Sequence, residues 1–276
     1  MKSPERTIRA ETTKSSGPLR HRVQIVGYDT DAGGTEAALF VSREGTVERE
    51  PLSAGRELAY TLGDRRCAGA VDGTEHVVCD RPTAPYCEVH GSTWICARCT
   101  GTCLKAEMDC HQEHAVYLAA FAPATFKVGV TKRPDPSVRL REQGADLGAI
   151  VRRVQNGRIA REIEAELARS TPIPDSVRVS TKISGMGRPV DTASWDRLLA
   201  DFEVERTYEL EYGLDLESAP VPETLASGTV LGTKGRILVV ERNDEAFAVD
   251  MRSLVGYELQ TGTGRRELQS SLGSFG

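Results

Sequence analysis

Seven cysteines and four of the five histidines of this 276-residue chain fall between Cys67 and His114, and the 232 residues outside Cys67–Cys110 contain no cysteine at all. The spacing runs Cys67-x11-Cys79-x7-Cys87-x2-His90-x5-Cys96-x2-Cys99-x3-Cys103-x6-Cys110, with His111 and His114 following. Thiolate and imidazole are the donors zinc prefers, and a two-residue spacer, present in Cys87/His90 and Cys96/Cys99, lets both groups of a knuckle reach one ion. An odd number of cysteines mixed with histidines suits a metal better than a disulfide framework. Eight donors make two tetrahedral sites, so Cys67, Cys79, Cys87, His90, Cys96, Cys99, Cys103 and Cys110 are assigned as ligands of one or two structural zinc ions. Their pairing is open, an iron–sulfur cluster is the alternative, and His111 and His114 read as surface or linker residues or as further ligands.

A second set of residues follows. Phe126-Lys127-Val128-Gly129-Val130-Thr131 alternates, placing Lys127, Gly129 and Thr131 on one strand face. Gly129 there would let a phosphate approach the sheet closely. From Lys127 to Arg169 ten Lys/Arg face six Asp/Glu, whereas Asp191 to Glu223 holds ten acidic residues against two arginines. The middle of the chain, with Lys127, Gly129, Lys132, Arg133 and Arg141, is therefore expected to face phosphate, despite a net charge of −5. The glycine-bearing stretch at 228–235 lacks the spacing of a phosphate-binding loop and reads as a β turn.

The order His114-Ala115-Val116-Tyr117-Leu118-Ala119, Phe126 to Thr131, Val138-Arg139-Leu140-Arg141 and Ala160-Arg161-Glu162-Ile163-Glu164 resembles the GIY-YIG nuclease superfamily. The chain from about 60 to 260 is also similar to the uncharacterised family called domain of unknown function 2797, through the cysteine cluster, the strands just quoted and Glu142-Gln143-Gly144-Ala145. The nuclease resemblance implies Tyr117 as the phenol that activates or orients the attacking water, Arg139 as the stabiliser of phosphate charge, and Glu164 as the ligand of Mg²⁺ or Mn²⁺. Lys127 stands where that superfamily's second tyrosine is expected; a lysine binds phosphate but is not the same proton relay. Each residue also has an ordinary reading: Tyr117 a strand aromatic, Arg139 a solvated helix residue, Glu164 a boundary charge paired with Arg161 or Arg158.

The elements that must position these residues can be read from pattern. Residues 1–20 form a polar, basic tail; 21–66 read as a β meander with runs at His21–Gly27 and Ala37–Ser42. The zinc-ribbon-like module covers 67–114. Over 115–215 a hairpin (Val116–Phe121, Phe126–Thr131) leads into a helix capped by Asp135-Pro136 and ended by Gly144. A second helix over Arg158–Arg169 places Ile159, Ala160, Ile163 and Leu167 on one face, and a third covers Ala193–Phe202. Glu217–Glu223 reads as a linker, and 216–276 as a small β element with a frayed end. The fold class expected is α+β, with a GIY-YIG-like α/β unit between two β elements. With no secretory signal and no long apolar run, the protein is expected to be soluble and cytoplasmic. Function is expected to be nucleic-acid-directed, as a metal-dependent endonuclease, a non-catalytic RNA- or DNA-binding protein, or an interaction adaptor working through its acidic 191–223 segment.

Overall fold

The computed structural model describes residues 22–91 and 111–261. In chain order the strands and helices are β1 (Val23–Asp29), β2 (Ala38–Arg43), β3 (Thr46–Pro51), β4 (Glu57–Arg65), β5 (Ala70–Asp72), β6 (Glu75–Val77), β7 (His114–Phe121), β8 (Thr125–Thr131), α1 (Pro136–Gln143), β9 (Leu147–Val154), α2 (Gly157–Ser170), α3 (Val179–Gly185), α4 (Thr192–Leu199), β10 (Arg206–Glu209), β11 (Val221–Pro222), β12 (Ala226–Lys234), β13 (Ile237–Arg242), β14 (Glu245–Asp250), α5 (Met251–Leu254) and β15 (Tyr257–Thr261). Among the described residues the protein is mostly β, which corrects the α+β expectation. The longest helix has 14 residues, and the strands form two sheets.

The larger sheet has the order β11-β14-β13-β12-β4-β15-β1-β2-β3-β6-β5. The N-terminal meander and the C-terminal β element, expected as separate parts, are one sheet: β15 pairs antiparallel with both β1 and β4, and β12 pairs with β4. The supposed linker contributes β11, parallel to β14. One apolar cluster joins both contributions, with Ile25, Leu39, Val41 and Leu58 from the first part and Val240, Val249, Met251 and Leu254 from the second. Each fully buried side chain of this size contributes about 1.5–3 kcal/mol, and neither part could bury its share alone.

The smaller sheet, β10-β9-β7-β8, is entirely antiparallel. This four-stranded sheet with short helices stands where the GIY-YIG-like α/β unit was expected, and that unit is not what forms. β7 is buried on both faces. Ala115, Tyr117, Ala119 and Phe121 join Leu140, Ile150 and Leu210 on one face, while Val116, Leu118 and Ala120 join Ala160, Ile173 and Trp195 on the other. The outer edge of β8 is engaged at Val128, whose amide donates to the Pro174 carbonyl at 3.0 Å.

Caps set the helix starts where expected. Asp135 accepts from the Ser137 amide ahead of α1, and Asp191 from the Ser194 amide ahead of α4; Asn156 does the same for α2. On α2 the buried line is Gly157, Ala160 and Glu164, and Ile159, expected inside, is 44% exposed. The two sheets meet through two glycines with left-handed φ. Gly144 (φ +70) ends α1 against the Lys234 carbonyl, and Gly235 (φ +57), in the β12–β13 turn, lies against the Gly144 amide; a Cβ there would sit 2.9 Å and 2.6 Å from those atoms. This contact brings Lys234 and Arg236 to α1. Among the described residues no helix is long and apolar enough to cross a membrane.

Candidate functional site

Cys67 follows β4, Cys79 follows β6, and Cys87 and His90 lie on a tight turn in which the His90 and Gly91 amides donate to the Cys87 carbonyl at 3.1 and 2.7 Å. One donor atom from each of the four lies within 4.8 Å of all the others. His90 Nδ1 is 3.4 Å from both the Cys67 and the Cys87 sulfurs. A tetrahedral zinc, with bonds of about 2.3 Å to sulfur and about 2.0 Å to nitrogen, holds N and S about 3.5 Å apart. The donor set and its spacing thus fit one Cys3His zinc site.

The surroundings act on Cys67 and Cys87 in opposite directions. The Gly69 and Cys87 amides donate to the Cys67 sulfur at 3.4 and 3.3 Å. Burial pushes the Cys67 thiol up. It also opposes ionisation of Cys87, but the amides of His90 and Val89, with Cys67 and the His90 ring, outweigh it and bring that thiol down to about 6. The centre is anchored to the large sheet. The Arg66 amide donates to the Gly256 carbonyl at 2.9 Å, and buried Gln24 donates to the carbonyls of Cys67 and Gly256. His76 is a satisfied core histidine, placed between Ser42 Oγ and the Ala68 carbonyl at 2.8 and 2.9 Å. Of the other assigned ligands, Cys96, Cys99, Cys103 and Cys110 lie outside the described residues.

The second cluster lies on the smaller sheet. Tyr117 pairs with Gly129 across the β7–β8 ladder, and its ring lies over that glycine: a Cβ on Gly129 would sit 2.5 Å from the phenol carbon and oxygen. Tyr117 is 1% exposed and Lys127 7%, with the Lys127 ammonium 6.0 Å from the Tyr117 ring centre. The positive charge of Arg139 on α1 acts on the Tyr117 phenol, and the charge of Glu164 acts on both Tyr117 and Lys127. Glu164, 9% exposed, accepts from Arg161 at 2.6 Å. The cluster reaches solvent through the side chains of Arg139 and Arg161, the former 40% exposed. Burial raises the Tyr117 phenol, so it stays protonated; burial, then Arg139, brings Lys127 down to about 8.

A family model described as "Protein of unknown function (DUF2797)" matches residues 55–259. The chain belongs to the DUF2797 family. The match runs from the turn before β4 into β15, so the DUF2797 region contains the Cys3His centre and the Tyr117 cluster. No curated protein and no solved structure matches the chain.

In this DUF2797 protein the structure gathers Tyr117, Lys127, Gly129, Arg139 and Glu164. It does not bring Arg141 to them: that guanidinium donates to the Glu211 carbonyl at 2.8 Å, lies 3.7 Å from Asp31 and stacks on Tyr212. Arg133 is ion-paired with Glu142, and Lys132 is exposed. His114 Nδ1 donates to the Gln112 carbonyl of its own segment at 2.7 Å, and its ring packs against Gly157. Glu164 is the sole carboxylate among the residues expected here, already bonded to Arg161, and among the described residues no group of three metal donors includes it. Mg²⁺ or Mn²⁺ held by Glu164 does not fit this donor set. Sequence reasoning missed Lys182, Lys234 and Arg236; the charges of Arg236, Arg139 and Lys234 all act on Lys182. The three missed residues come from α3 and the β12–β13 turn, and only the meeting of the two sheets puts them beside α1.

Proposed function

We propose that this DUF2797 protein is a zinc-stabilised nucleic-acid-directed protein that takes phosphodiester groups at the Tyr117 cluster. The reading is carried by one observation: Arg139, Arg161 and Lys127 surround a protonated, buried phenol with Glu164 as the opposing charge. A phosphate entering at the exposed ends of Arg139 and Arg161 meets two guanidinium forks, the geometry that suits phosphate oxygens. Gly129 leaves room for the Tyr117 ring to lie on the sheet, under the charge of Arg139. Zinc at the Cys3His centre supplies rigidity to the large sheet on which the β12–β13 turn is built.

The test is binding of labelled single- and double-stranded DNA and RNA, followed by fluorescence polarisation over a salt series. Arg139→Ala is expected to weaken binding about tenfold and to lower the salt slope by about 1. Binding that ignores salt and Arg139 would discard the reading and favour the adaptor. A second reading, in-line phosphodiester cleavage, is favoured by Lys127: a lysine brought down to about 8 can accept the proton of an attacking hydroxyl while Arg139 and Arg161 neutralise the phosphorane. Cleavage assayed on the same substrates should then fall on Lys127→Met and Tyr117→Phe. Unchanged cutting in both variants would exclude this second reading.

A further inference from the structure

Beside the Tyr117 cluster, at the junction of the two sheets, lies a cavity of about 120 Å³. Its walls come from the end of α1, from α3 and the segment before it, and from the β12–β13 turn; Lys182, Lys234 and Arg236 line it together with Val177, Val179 and Ile237. One water needs about 10–15 Å³ of such volume, so the space admits a tetrahedral oxyanion with several waters. Lys234 is held by Asp146 and Arg236 by Asp250 at 3.1 Å. Lys182 has no carboxylate partner among the described residues: its ammonium donates to the Gln143 carbonyl at 2.7 Å and lies 4.3 Å above the Phe121 ring. The one carboxylate in the wall, Glu142, is engaged by Arg133 and Arg139.

We propose that this cavity binds a dianionic oxyanion, the terminal phosphoryl group of a phosphate monoester. A pocket walled by two helices and a turn receives the end of a ligand rather than a strand passing through, and a terminal phosphoryl brings a second negative charge to Lys182, the lining cation with no carboxylate partner among the described residues, with the carboxylate-held Lys234 and Arg236 beside it as further donors. Lys182 has two N–H donors left to give. Its present state supports this: burial, and then Lys127, Arg236, Arg139 and Lys234, bring Lys182 down to about 7. The groups acting on it are thus Lys127 of β8, Arg139 of α1, Lys234 of β12 and Arg236 of the turn. An anion among them would raise Lys182 again, so binding takes up a proton and strengthens as pH falls.

The site stands on its own lining residues; only the identification of the phosphoryl as a nucleic-acid end rests on the function proposed above. Inorganic phosphate and sulfate serve as probes, titrated by calorimetry into the full chain and into Lys182→Met and Arg236→Gln. Both anions are expected to bind saturably to the wild type and about tenfold or more weaker to each variant. Sulfate, dianionic throughout, should lose about tenfold in affinity between pH 6 and pH 9. Melting curves without anion check that the variants fold. Absence of saturable anion binding, or equal binding in both folded variants, would overturn the proposal. Oligonucleotides with a 5′-phosphate or 5′-hydroxyl, and a small sugar phosphate, then separate the sources. Binding of the free anions without oligonucleotide binding keeps the cavity and sinks the nucleic-acid reading; oligonucleotide binding indifferent to both phosphate and Lys182 does the reverse.

Discussion

Cys87→Ser is expected to release one zinc equivalent and to lower the melting temperature more than any single core truncation. Cys67 and Cys87 are buried, and each lies 3.4 Å from the His90 ring. Three thiol donors held this close are compatible with one another when a divalent cation shares their charge. Without it the thiolates repel, or must take up protons in a site whose amides are arranged to receive anions. Structural zinc sites carry apparent binding energies of about 10–16 kcal/mol in small peptides, against about 2–5 kcal/mol for a core Leu→Ala. The large hydrophobic cluster of this protein lessens dependence on the ion, so a drop in stability rather than complete unfolding is the expected outcome. Elemental analysis and a thermal melt, with and without a chelator, measure both quantities. Retention of all zinc by Cys87→Ser would show that the four donors do not form the centre.

The second large effect is expected at Gly185, the last residue of α3. A Cβ there would sit 1.8 Å from the carbonyl oxygen of Ala122 and 2.7 Å from its carbon. Both are backbone atoms at the end of β7, so no rotamer change relieves the clash and either the helix or the hairpin must move. Overpacking of this kind costs about 3 kcal/mol at the upper end of its usual range, which in a domain of this size lowers the melting temperature by about 6–12 °C. Ser184→Ala, on the exposed side of the same turn, should stay within about 0.5 kcal/mol of wild type. Because Lys182 rides on α3, Gly185→Ala is also expected to abolish the sulfate response of the cavity. A Gly185→Ala protein that melts with the wild type would mean that α3 does not pack on the β7–β8 hairpin.

Local chemistry was legible in the sequence, and long-range pairing was not. The Cys87-x2-His90 knuckle, the Asp135-Pro136 cap and the alternation of Lys127, Gly129 and Thr131 are each set by residues within a few positions of one another, and each has the form read from pattern. Glu164 was placed at the edge of an apolar stripe; it replaces an apolar residue within that stripe, and its bond to Arg161 is the ordinary reading of the same residue. β9 was missed because Gly148 and the pair Arg152-Arg153 break its apolar run, yet pairing with β7 and β10 on either side holds it. The joining of β1 to β15 links Gln24 with Glu258, and no local pattern reports a partner at that separation. The cationic cavity follows from the same cause, since Lys182, Lys234 and Arg236 become neighbours only after the two sheets dock.

The position of β15 between β1 and β4 also sets an order of events during synthesis. A nascent chain that has emerged as far as His90 already carries all four donors of the Cys3His centre, but the slot between β1 and β4 stays open until Tyr257–Thr261 appears, roughly 170 residues later. Three strand edges, one of β1 and both of β4, whose other neighbour β12 also lies downstream, are then unpaired throughout translation of the smaller sheet, a condition that invites pairing with other chains. A metal ion taken up early by the four donors beside the end of β4 would clamp one border of that slot while it waits. A chain cut short before Tyr257 would therefore carry the four donors complete and still present an unfinished sheet.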